Sequence, residues 1–82
     1  MTDDADEIIP GETKDQKFKR LADKRVNSAL EKIRLIGNLA SSHYEFTPQQ
    51  VKKISDSLHG AVNEVEKLFQ KRLDLKLNRF EL

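Results

Sequence analysis

The sequence predicts an all-α fold, a two-helix antiparallel hairpin behind a disordered acidic N-terminal tail. Three observations predict it. Apolar residues recur at steps of three and four over two long stretches, the period of an amphipathic helix. Each stretch opens on a threonine followed three residues later by glutamine, the form of a capping box. The connection between them, 42–46, is short enough to force neighbouring helices to run antiparallel.

The tail comes first. Residues 1–13 carry five acids and no base, and are punctuated by Pro10-Gly11. Such a segment has too little apolar surface to offset the entropy of ordering, so it is expected to be disordered. Ile8 and Ile9 are its only branched apolar residues.

The first helix is expected over 14–41. Thr13 and Gln16 form its capping box, and Phe18, Ala22, Val26, Ala29, Leu30, Ile33, Ile36, Gly37 and Ala40 share one face. Residues 42–46 form the loop. The second helix is expected over 47–79, and its start is the strongest local signal in the chain. Thr47 can cap, Pro48 takes the first helical position, Gln50 closes the capping box, and Phe46 and Val51 have the spacing of a hydrophobic staple. Val51, Ile54, Leu58, Ala61, Val62, Val65, Phe69 and Leu73 then follow on one stripe.

Leu73-Asp74-Leu75-Lys76-Leu77 alternates like a strand, but also continues the helical step. Helix is the simpler reading, since a lone strand has nothing to pair with. Residues 80–82 are a short tail. Pairing across the loop places Ile36 near Ile54, Ile33 near Leu58, Ala29 near Ala61, Val26 near Val65, and Ala22 near Leu68 and Phe69. Gly37 falls at the edge of this seam, where a missing side chain would let two backbones approach.

Eighty-two residues allow one domain at most. There is no cysteine, hence no disulfide framework and no thiolate metal site. No apolar run approaches the roughly 18–20 residues that span a bilayer. The acidic start lacks the basic and apolar regions of a signal peptide, so a cytoplasmic location is expected. The net charge is +1, but 14–41 carries eight bases against three acids, while 47–82 carries seven against five.

Catalysis is not expected. His43 and His59 stand apart, and no metal-ligand, nucleophile–base or glycine-rich phosphate motif is present. A two-helix chain also lacks a water-excluding pocket. No catalytic residue, cofactor, metal or small-molecule substrate is therefore expected.

Nucleic-acid binding is the alternative, as a small DNA-binding regulatory protein. Lys17, Lys19, Arg20, Lys24, Arg25, Lys32 and Arg34 make the first helix basic. These charges go round the helix instead of down one face, which makes this the weaker reading. A membrane-surface role needs aromatic anchors, and the first helix has only Phe18.

A second apolar row points to a protein partner. Leu21, Leu35 and Leu39 lie roughly 120–160° from the centre of the first helix's seam, at about 100° per residue. Ser28 completes the row, and Arg34, Asn38 and Asn27 flank it. Leucines rimmed by Arg and Asn have the make-up of an interface. Leu21, Arg34, Leu35, Asn38 and Leu39 are therefore candidate partner-binding residues, with Leu75, Leu77 and Phe80 as a second contact. A homodimer is the other way to cover them. A hairpin of this size is marginal by itself and gains stability from whatever binds it.

One stretch carries a resemblance. It comprises Phe18-Lys19-Arg20-Leu21-Ala22, Lys24-Arg25-Val26-Asn27, Ala29-Leu30 and Ile33-Arg34-Leu35-Ile36-Gly37-Asn38-Leu39. After the loop it adds Tyr44-Glu45-Phe46-Thr47. Over about residues 18–70 the chain resembles the QseM-like quorum-sensing antiactivators, short bacterial proteins found on mobile elements such as symbiosis islands. The acidic head and leucine-rich tail lie outside it. The resemblance implies a protein that binds a transcriptional activator and stops it working. The implied partners are a LuxR-family autoinducer-binding regulator and an activator of element excision. It assigns no binding residues.

Overall fold

Two threonines set the register of the whole chain. The computed structural model describes residues 8–77, with side chains over 8–74. In it α1 spans Lys14–Gly37 and α2 spans Pro48–Leu77. There is no strand among the described residues, and the fold is all-α. The chain divides into two compact units, Met1–Tyr44 and Glu45–Leu82, each built on one helix.

Both predicted capping boxes are formed. At α1, the Gln16 backbone N–H donates to Thr13 Oγ1 at 3.1 Å, and the Thr13 N–H donates to Gln16 Oε1 at 3.0 Å. At α2, the Gln50 N–H donates to Thr47 Oγ1 at 3.1 Å, and the Thr47 N–H donates to Gln50 Oε1 at 2.9 Å. Each box satisfies two backbone donors that helix geometry leaves without partners. Phe46, Pro48 and Val51 line one shallow recess at the start of α2, where a staple places its two apolar residues. Replacing Thr47 with Ala removes an acceptor from the first turn of α2 and is expected to cost about 1 kcal/mol. A urea titration followed by circular dichroism checks this; an unchanged midpoint would mean that the cap carries no stability.

The end of α1 corrects the expected boundary of 41. The helix stops at Gly37, and Asn38 is its C-cap. The Asn38 N–H reaches the Arg34 and Leu35 carbonyls at 3.1 and 3.2 Å. The Leu39 and Ala40 N–H groups then bond three residues back, to Ile36 and Gly37, at 3.0 Å each. The chain tightens into i→i+3 turns and leaves the helix. Gly37 and Asn38 are poor helix formers, and the apolar spacing through Ala40 concealed this. The connection therefore runs over 38–47 instead of 42–46.

A Cβ built on Gly37, or on Gly60 within α2, meets nothing within 4 Å. At the other end, α2 runs unbroken past Leu73 to Leu77, so the alternating leucines are helical. Residues 78–79, expected to be helical, and 80–82 lie outside the described residues.

The tail needs a correction over 8–13. The Glu12 N–H donates to the Ile9 carbonyl at 3.1 Å, and Gly11 has φ +79. Proline then glycine at the two central positions, with positive φ at the glycine, makes a type II turn. Glu12 reaches forward to Arg20 in a forked ion pair. The Arg20 Nε donates to Glu12 Oε2 at 2.8 Å, and a terminal guanidinium nitrogen donates to Oε1 at 3.0 Å. Only 11% of the Glu12 side chain and 27% of the Arg20 side chain are exposed. Acidity suggested an unattached tail, but one carboxylate found a cation two turns into the helix. The rest of the predicted disorder, 1–7, lies outside the described residues.

That pair depends on pH. The hydrogen bond from Arg20 holds the Glu12 carboxyl below the ordinary glutamate value, with the Arg20 and Lys17 charges adding to it against partial desolvation. A depressed folded value means that the pair's stabilising effect is present above the ordinary glutamate value and is lost as pH falls through the depressed one. An NMR pH titration should therefore show the Glu12 carboxyl titrating low, with the Arg20 Nε and Gly11 signals moving at the same midpoint. A Glu12 midpoint at the ordinary value would show that the fork does not persist in solution.

Candidate partner-binding surface

Among the described residues none is buried. Each helix presents its apolar residues partly to solvent.

Leu21 and Leu35 both lie in α1. Fourteen residues separate them, which places them within about 40° of one face and about 21 Å apart along the axis. Leu35 is 60% exposed. Leu21 is half-buried, as are its neighbours Arg20 and Ala22, beside the end of α1 that Glu12 reaches. Leu39 is 48% exposed but lies beyond the helix, in the i→i+3 turns. The row is thus two helical leucines and a turn leucine, not three positions of one helix. Asn38 is the C-cap and Arg34 occupies the last helical turn, where a cation also favours the negative end of the helix dipole. The structure thus places Leu35, Leu39, Arg34 and Asn38 within six consecutive residues at the end of α1.

Leu75 and Leu77 lie in the last turn of α2, and Phe80 lies outside the described residues. They belong to the second unit.

The structure adds a residue that the periodic stripe passed over. Leu68 in α2 is 70% exposed, more than any other described large apolar side chain of either helix. Its spacing of three from Val65 was the available signal, but Phe69 beside it filled the same step of the pattern.

Polar contacts elsewhere are local. Lys19–Asp15 and Lys52–Asp56 are i,i+4 pairs at 3.2 and 2.8 Å, with all four side chains mostly in water; such pairs contribute little. Ser55 Oγ lies 3.3 Å from His59 Nδ1, one turn away on α2. The His43 N–H donates to Ser41 Oγ at 3.3 Å. No group of three or more potential metal ligands occurs among the described residues. No helix among them is long and apolar enough to cross a membrane.

No protein-family model, curated protein or solved structure matches the chain.

Proposed function

We propose that the chain is a non-catalytic antiactivator. It binds a transcriptional activator of the LuxR quorum-sensing family, an activator of mobile-element excision, or both, and blocks them in the cytoplasm, keeping quorum sensing and conjugative transfer off. The observation that carries the binding role is the open apolar patch at the end of α1: Leu35 and Leu39, about half or more exposed, with Arg34 and Asn38 beside them. An apolar centre with Arg and Asn at its edge suits a protein partner. The choice of partner rests on the resemblance over residues 18–70.

The test is an NMR titration of the labelled chain with a LuxR-family activator at moderate salt. Selective shifts or losses of the Leu35 and Leu39 signals, with Leu21 following, are expected. An unchanged spectrum would sink the partner assignment. A salt series separates this reading from phosphate binding. Affinity for a leucine-centred protein interface should change little with salt, whereas affinity for DNA falls steeply as condensed counterions are released. A steep slope with duplex DNA, together with silence towards the activator, would transfer the function to the basic α1.

A further inference from the structure

One acid of the N-terminal segment is already seated on α1. Glu12 forks onto Arg20, and only 11% of its side chain is exposed. Arg20 is the middle of a row. Lys17, Arg20 and Lys24 follow at steps of three and four, within an arc of about 60° at about 100° per residue. Asp23 lies about 60° or more off this row, and Glu31, one heptad beyond Lys24, ends it with an acid. The Lys17 charge acts on Glu12 as well.

We propose that the acids of residues 3–7 dock on the Lys17–Arg20–Lys24 row, so that the chain's own N-terminal segment occupies a basic surface that an external polyanion would otherwise take. Charge supports this occupant. Residues 1–7, outside the described residues, carry Asp3, Asp4, Asp6 and Glu7 and no base. The place where the described chain begins supports it too. The turn at Pro10-Gly11 doubles the chain back, and Glu12 is tied to Arg20, so the residues before the turn start from the flank of α1 that carries the row. Length fits as well. Seven residues reach at most about 24 Å, while Lys24 lies about 15 Å along the helix from Lys14, and Lys32 about 27 Å. An isolated exposed pair contributes little. Here the fork makes each further contact intramolecular, at an effective concentration on the order of millimolar.

This contact uses neither Leu35 nor Leu39, and it stands or falls separately from the antiactivator role. The experiment is NMR of the full chain at low salt. The chain has no cysteine, so Thr2→Cys carries a nitroxide label at a single place with every acid kept. The label should broaden the amide signals of 17–24 at least about twofold more than in a chain that also carries Asp3→Asn, Asp4→Asn, Asp6→Asn and Glu7→Gln. Lys17→Gln with Lys24→Gln should lose the extra broadening, and so should wild-type acids at about 1 M salt, where charges are screened beyond about 3 Å. Lys19→Gln with Lys32→Gln removes the same charge and should keep it. Lys19 stands about 100° or more from every member of the row, and Lys32 lies beyond the segment's reach. Glutamine forms helix about as well as lysine, and circular dichroism checks that each variant stays helical. Equal broadening with and without the four acids overturns the proposal. So does an equal loss in the Lys19/Lys32 variant, which would make the effect one of net charge alone.

Discussion

Leu35→Ala is expected to weaken binding of the activator about tenfold or more, a loss of at least about 1.4 kcal/mol, without changing the helix content of the free chain. The two halves of that result follow from one number. Leu35 is 60% exposed, so most of its surface contributes nothing to the isolated fold and is free to be covered by a partner. Truncation to alanine keeps helix propensity high and leaves no cavity, because there is no enclosed space around the side chain to empty. In a complex the same side chain would be surrounded, and its loss would be felt there. Leu21→Ala makes the useful contrast. Leu21 is half-buried, next to the Glu12–Arg20 fork, so its truncation should lower stability as well as affinity. Isothermal titration calorimetry reads the affinities and circular dichroism the helix content. If Leu35→Ala binds like wild type with its fold intact, the patch at the end of α1 is not the interface.

The sequence made the starts of both helices legible and their ends much less so. A helix start is a local event. Thr47, Pro48 and Gln50 satisfy donors within four residues of one another, so the chemistry is written in the residues that perform it. The end of α1 was different. Ile36 and Ala40 continue the apolar step, but the backbone leaves the helix at Gly37, and side-chain spacing does not report backbone strain or hydrogen bonding. The continuation of α2 through Leu75 was open to two periods; the want of a pairing strand decided it for helix, and α2 does run to Leu77. The Glu12–Arg20 fork could not be read from charge pattern alone, because it depends on the turn at Pro10-Gly11 directing the chain back towards α1. Among the candidate binding residues, Leu21, Arg34 and Leu35 lie within α1, and Asn38 is its C-cap. Leu39 does not, because the wheel was extended past the end of its helix. Leu68 was expected only as a seam position near Ala22; a wheel ranks residues by angle and does not report that its side chain is 70% exposed.

Gly60→Ala should stabilise the chain, and the sign is the informative part. A glycine inside a helix costs roughly 0.5–1 kcal/mol relative to alanine, because the unfolded chain has more freedom to lose. Natural helices keep such a residue when a neighbour passes too close for a Cβ. Within its own unit, a Cβ at Gly60 meets nothing within 4 Å. The backbone is ordinary helix, and Gly11 is the only described glycine with positive φ. Substitution should therefore gain stability by about 0.5–1 kcal/mol, seen as a higher urea midpoint and greater helix content. In a chain with no buried side chain among its described residues, a gain of that size is a large share of the total. A loss of stability would contradict the open space around Gly60.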